Sequence, residues 1–327
     1  MTTTPTNSSE RSPAIDQFRG LAILLMVLAN YSGGVASIPK WFKHALDIGL
    51  TVIDVIAPLF ILAIGLTIGL SWRRRLQRDG AARTASHFIV RYAALVGIGA
   101  IFEAGAILLG ENQSGINWGV LQAIGVAGLL ALPVLSLPAP WRFGVGLALL
   151  AAYQLLLNLF WLPIVLGSPH GGLPGTLGWG AMLIMASALA DAWRANHGKL
   201  RLGLYSMALL AAGILSALLM FAPLSKNRVS YSYELVSLGI AGLLFALCAW
   251  LVARWHWRWS WLAWWGRNPL LLYLVHLLLL GIMVLPGIPG WYAQAAIWLA
   301  GLQALGLLGA LTLLAWWLDR QGVVVTI

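Results

Sequence analysis

The chain has 327 residues, 60% hydrophobic and only 9% charged, with a formal net charge of +10 and a single cysteine. A soluble domain carries about 25% charged residues, so this composition excludes a large soluble domain and indicates a polytopic membrane protein. Cys248, alone and inside an apolar run, excludes an intrachain disulfide. The basic excess sits in short loops between apolar runs, which is a topology pattern and not a nucleic-acid surface.

Residues 1–12 are rich in Thr and Ser and are expected to form a disordered tail. The apolar run after Arg19 lacks a small-residue cleavage site and is read as a retained span. A helical span needs about 20 apolar residues. On that rule ten spans are predicted, at residues 14–33, 49–71, 87–109, 117–136, 143–165, 173–192, 202–223, 233–253, 268–286 and 292–317. The sixth opens on Gly171, Gly172, Pro174 and Gly175, and is expected to start as a re-entrant or broken helix. The expected architecture is an all-α integral membrane bundle of about ten transmembrane helices. Residues 13–320 form its single domain and 321–327 a C-terminal tail. The tryptophans of residues 255–265 are expected to form an interfacial belt.

The loops predict an orientation. Sixteen basic residues, including Arg11, Arg19, Arg73, Arg74, Arg75, Arg78, Arg142, Arg194, Arg267 and Arg320, fall on one side. Four, Lys40, Lys43, Lys226 and Arg228, fall on the other. The richer side is cytoplasmic by the positive-inside rule. Both termini then lie in the cytoplasm and His44 faces outward. An integral, multi-pass location is expected, in the plasma (inner) membrane if the source is bacterial.

Intramembrane polar residues are functional candidates by default. Asp16 and Arg19, three apart on one helix face, are expected to pair. Asn30 lies near the outer end of the first span. Asp54 lies in the second, just before Pro58, where a carboxylate costs roughly 2.5–3.5 kcal/mol on insertion scales. Glu103, Gln122 and Glu234 read equally as interhelical glue, and His276 as a structural histidine. His87, His197 and His256 read as solvated loop residues. His170 lies in an outer loop whose glycines permit close backbone approach. His44 stands out as a titratable imidazole at the outer mouth of the bundle, suited to taking a proton from an amine or hydroxyl. Ten helical residues span about 15 Å, so Asp54 is expected to stand clear of His44 and to organise the chamber or contact another helix. No phosphate loop, Gly-x-Ser-x-Gly or metal-ligand spacing is present, and no metal is expected.

These residues resemble a known family. Arg11-Ser-Pro-Ala-Ile-Asp16-Gln-Phe18-Arg19-Gly20, with the apolar run to Asn30-Tyr31, resembles the opening of the heparan-alpha-glucosaminide N-acetyltransferase catalytic family. Lys43-His44, residues 49–55, Pro58-Leu59-Phe60 and Gly65 resemble its next block. Residues 119–125 resemble a third, residues 172–177 a fourth, and Gly266-Arg267-Asn268-Pro269-Leu270 with Tyr273 and His276 the C-terminal block. Acyltransferase family 3, in the wider superfamily, has His eleven residues after its signature Arg, where this chain has Asn30 after Arg19. The chain departs from the glucosaminide branch at Asp47-Ile48 and Ala123.

The resemblance implies a transmembrane acyltransferase that moves an acetyl group from cytosolic acetyl-CoA to an amine or hydroxyl of an extracytoplasmic sugar or glycolipid. It implies His44 as the active histidine, general base or acyl relay; Asp54 and Asn30 complete the expected catalytic set. Asp16, Arg19, Gln122, Asn268 and His276 are expected on the donor side. Arg19 and the Arg73–Arg78 cluster are the candidate phosphate contacts, and Asn30, Gln122 and Asn268 are candidates to orient the thioester or its oxyanion. Expected partners are acyl-CoA, the acceptor, membrane lipid and a second copy of the chain, with no nucleic acid. Rival readings are a transporter or lipid translocase using the same buried polar residues, and a non-catalytic membrane scaffold.

Overall fold

The computed structural model describes residues 12–108, 118–255 and 259–325. The N-terminal tail apart from Ser12, together with Asn117, His256 and Arg258, lies outside the described residues. Eleven α-helices follow one another within the described part. They are α1 (Pro13–Gly33), α2 (Ile56–Leu108), α3 (Val120–Ala131), α4 (Ala139–Leu156), α5 (Leu162–Leu166), α6 (Gly172–Arg194), α7 (Gly198–Leu218), α8 (Tyr231–Trp255), α9 (Ser260–Arg267), α10 (Pro269–Val284) and α11 (Ile297–Arg320).

All ten predicted segments are helical, and the protein is an all-α, multi-pass membrane bundle. By length and composition seven helices are able to cross a bilayer, or eight if α9 and α10, bent by 87° at Asn268, are one span. The difference from ten has two causes. The 53-residue α2 is two helices joined across a kink at Gly80 (φ 78°), and this one element supplies both the second and the third segment. The fourth, Val120–Val134, is shorter than a span requires.

The sixth segment, expected to be broken, becomes the central post. A turn of three positive-φ residues, His170, Gly171 and Gly172, precedes it. From there α6 is unbroken, and residues 178–190 are all buried. A helix apolar on every face is stable only when surrounded, and α6 is ringed by α2, α3, α4, α7 and α8.

Arginines predicted on one face meet at one end of the bundle. Arg73 (2.7 Å), Arg142 and Arg194 (3.8 Å) from α2, α4 and α6 all pair with Asp191. Arg142 is fully buried and also donates to Ser187 and to the Leu137 carbonyl. Asp16 and Arg19 pair at 3.6 Å as expected. Within the Trp-rich segment, Trp265 is buried and donates to Thr312, whereas Trp259 and Trp261 are exposed.

Close helix approach needs small residues in a membrane. A Cβ on Gly20 would lie 1.9 Å from the Leu262 carbonyl oxygen, and one on Gly266 would lie 1.9 Å from that of Asp16. These two glycines are what let α1 and α9 touch. Gly266→Val is therefore expected to cost about 1–3 kcal/mol by overpacking against rigid backbone. Gly306→Ala, which meets nothing within 4 Å, is the control. Thermal midpoints in detergent check it: the first variant falls and the second does not.

Candidate active site

Two loops at the end opposite the Asp191 cluster build the site. The first, residues 43–52, is irregular and ends in a short 3-10 turn, Ile53–Val55, that leads into α2. The second, residues 224–230, leads into α8. They are stitched together at several points. Gly49 N donates to Leu224 O at 2.7 Å, Arg228 Nε donates to Asp47 Oδ1 at 2.9 Å, and Ser225 Oγ to the same oxygen at 3.0 Å. Asn227 Nδ2 donates to Leu46 O. The Arg228 hydrogen bonds hold the Asp47 carboxyl below the usual carboxylate range. Gly49 has φ +126°, a conformation closed to L side chains, and so permits the fold-back of the first loop.

That fold-back overturns one expectation. His44 and Asp54 are in direct contact, Nδ1 to Oδ1 at 2.7 Å. The 15 Å separation presumed a continuous helix, and the chain between them is not helical. Asp54's side chain is wholly buried while that of His44 is 47% exposed. The second oxygen of Asp54 accepts from Ala45 N (3.2 Å), Thr51 N (2.9 Å) and Thr51 Oγ1 (2.9 Å). A carboxylate only accepts, so His44 carries its proton on Nδ1 and leaves Nε2 as the basic nitrogen. Asp54 thus braces the loop and fixes the imidazole tautomer.

Pro58 explains a further contact. Proline has no N–H, so the Asp54 carbonyl four residues earlier has no helical partner. The Tyr233 hydroxyl from α8 donates to it at 2.7 Å. This ties the dyad to the second loop's helix.

Two more groups stand beside the dyad. The Lys226 side chain is buried, and its charge couples to that of Asp54. His170 couples electrostatically to Lys226 and His44, and its Nδ1 is buried without a hydrogen-bond partner. Its backbone is held at φ 55° just before two positive-φ glycines, Gly171 and Gly172, with Trp179 Nε1 donating to its carbonyl at 3.0 Å. Sequence reasoning treated Lys226 only as an outer-loop charge. The Gly49 loop was the one signal that the chain turns there.

Asn30 is placed elsewhere, on α1 facing α10. Its Nδ2 donates to His276 Nε2 at 2.9 Å, and it also meets Tyr273. Gln122 is buried with Oε1 unpartnered, close to Glu103 beside Gly119. Glu234 is buried with both oxygens unpartnered. Asn268, a candidate for the thioester, instead clamps the C-terminal tail: Nδ2 donates to Val323 O (2.9 Å) and Oδ1 accepts from Val325 N (2.8 Å). Its amide is thereby spent on backbone at the opposite end of the bundle from His44.

A cavity of about 310 Å³ enters from the arginine-rich end. Arg19, Arg91 and Arg267 line it, with Ser71, Thr67 and Tyr273. Of the predicted phosphate contacts, Arg19 is present. Arg73 is engaged with Asp191 and Arg78 with Asp79, and neither lines the cavity. Val120 and Ile124 of α3 also line it. The same two residues border a small void of about 10 Å³ beneath His170 and Trp179. A larger apolar crevice of about 700 Å³ between α4, α6, α7 and α8 holds none of the candidate site residues.

Residues 11–170 match the family described as heparan-alpha-glucosaminide N-acetyltransferase, catalytic. The first half of the chain resembles that family. It is 37% identical over 128 residues to heparan-alpha-glucosaminide N-acetyltransferase of Mus musculus. It is 38% identical over 124 residues to the Homo sapiens protein of that name. These alignments cover 37% and 36% of this chain but only 18% of each relative. The family-like stretch contains Asp16, Arg19, Asn30, His44, Asp54, Gln122 and His170. Lys226, Asn268 and His276 fall beyond it.

Proposed function

We propose that the protein is a membrane acetyltransferase. It moves an acetyl group from acetyl-CoA at the arginine-rich, cytoplasmic end to an amine or hydroxyl of a sugar or glycolipid at the His44 end. One observation carries this reading. A half-exposed imidazole is held by a buried carboxylate through Nδ1, at the opposite end of the bundle from a cavity rimmed by arginines. The acetyltransferase name of the family that its first half resembles supports the same chemistry.

The residues fit such a donor. Arg91 lines this cavity together with Arg19 and Arg267, which also pair with Asp16 and Asp319, and the three offer cationic contacts for phosphates. Behind them the walls are mainly apolar, and 310 Å³ is at the small end of ligand pockets, about 300–1,000 Å³. That suits the thiol-bearing arm, with the nucleotide left at the mouth. CoA supplies an activated thioester and a thiolate leaving group. His44 Nε2 accepts the acceptor's proton as it attacks, and Asp54 stabilises the imidazolium that forms. Val120 and Ile124 are shared by the donor cavity and the small void under His170, and must shift aside for the thioester to pass toward the dyad. The Asn30, Tyr273 and His276 cluster borders the route on the α10 side.

The test uses purified protein in detergent or vesicles, radiolabelled acetyl-CoA, and a panel of amino sugars and hydroxyl-bearing glycans. Thiol release coupled to a labelled acceptor is expected. Acceptor accumulation across vesicles without thiol release would instead establish the transporter reading.

A further inference from the structure

The carboxylate of Asp54 is saturated. One oxygen takes His44, and the other takes three donors from Ala45 and Thr51. Lys226 sits between Ser225 and Asn227, which bond to Asp47 and Leu46 of the His44 loop, and its charge couples to Asp54, yet its side chain makes no hydrogen bond or ion pair among the described residues. The Lys226 side chain is packed into the protein, and this burial pushes it below the usual lysine range, with the Asp54 charge pulling it partly back. The second loop nevertheless holds it there, through Asp47–Arg228, Ser225–Asp47 and Gly49–Leu224. A charge left unmatched in the resting protein is suited to one that appears only during reaction.

We propose that Lys226 is a catalytic residue, its ammonium stabilising the oxyanion of the tetrahedral intermediate formed beside His44. The inference rests on the acetyltransferase reading. The acceptor nitrogen or oxygen forms a bond to the thioester carbonyl carbon, and its proton passes to His44 Nε2. The carbonyl π pair moves onto oxygen, where Lys226 faces it. The pair then returns, the C–S bond breaks, and the thiolate leaves with the bonding electrons to be protonated by the imidazolium or by water. Lys226 lies outside the stretch that resembles the family, so this chain supplies the group from its own second half.

Lys226→Met and Lys226→Arg test this in full-length protein with acetyl-CoA and an accepted amine or hydroxyl substrate. Lys226→Met is expected to lower kcat about 10²–10³-fold, the usual cost of one oxyanion donor, with KM for both substrates held within about twofold. Lys226→Arg is expected to recover at least about tenfold of that loss.

The pH profile adds a readout that a packing role would not move. The titratable groups that couple to Lys226 are Asp54 and His170, with the Asp47–Arg228 pair in the loops beside it. The intermediate needs the charged ammonium, whose folded value lies below an ordinary lysine's. Activity therefore falls on the alkaline side as Lys226 loses its proton, and Lys226→Arg moves that limb upward. Unchanged kcat in Lys226→Met, or KM and thermal midpoint shifting in step with kcat, overturns the proposal. Wild-type protein without thiol release overturns the transferase reading instead, and so the two failures are distinct.

Discussion

Asp54→Asn is expected to lower acetyl transfer by about 10²–10⁴-fold while the bundle stays folded. Asp54 makes two separable sets of contacts. Oδ2 accepts from Ala45 and Thr51, and Oδ1 accepts from His44. An asparagine keeps a carbonyl oxygen for the first set and so preserves the loop. Its amide then presents N–H to His44 Nδ1. That nitrogen must accept, the ring proton moves to Nε2, and the basic nitrogen is lost from the side facing the acceptor. His44→Ala removes the base altogether and is expected to be at least as damaging. Because the pair acts as a unit, the double variant should be no worse than the more severe single one. Transfer rates and thermal midpoints measured together check this. Asp54→Asn retaining more than about a tenth of wild-type activity would sink the dyad assignment. His44 is half exposed and holds up no core, so its variant guards against simple unfolding.

The fold was legible because membrane helices announce themselves by apolar length, a signal that survives without tertiary knowledge. Each of the ten segments became helix, and the loop arginines pointed to the shared end where Arg73, Arg142 and Arg194 meet Asp191. What the sequence did not reveal was which helix is central. The glycines before α6 read as a break, yet the three positive-φ residues there turn the chain sharply into an unbroken post.

The site was half legible. His44 and Asp54 were found by chemistry, and their contact was missed by geometry. A ten-residue separation was converted to distance with a helical rise, although Gly49 lies between them and Pro58 belongs in the first turn of the helix that follows. Together they mark the chain before Ile56 as not yet helical. Lys226 was harder to find. Its placement depends on pairing between two loops about 180 residues apart in sequence, as in Ser225 with Asp47, and no local pattern encodes that. Asn268 failed in the opposite sense. Its amide looked free for a ligand because the residues that consume it, Val323 and Val325, belong to a tail with no predicted role.

Thr67→Trp is expected to abolish donor binding and transfer without unfolding the protein. Thr67 lines the cavity from α2, between the arginine mouth and Tyr273. Its hydroxyl bonds only to the Ile64 carbonyl one turn earlier, at 3.1 Å, so replacing it removes no interhelical contact. An indole at this position grows into open space and not into a packed neighbour, which spares the strain of overpacking a core. It also fills the passage that the thiol-bearing arm requires. Acetyl-CoA affinity measured by calorimetry should fall below detection, whereas Thr67→Ser should bind and turn over as wild type does. The alternative donor route, along the crevice between α4 and α7, predicts the reverse: Thr67→Trp indifferent and Leu147→Trp blocked. Measuring both variants side by side decides which opening feeds the dyad.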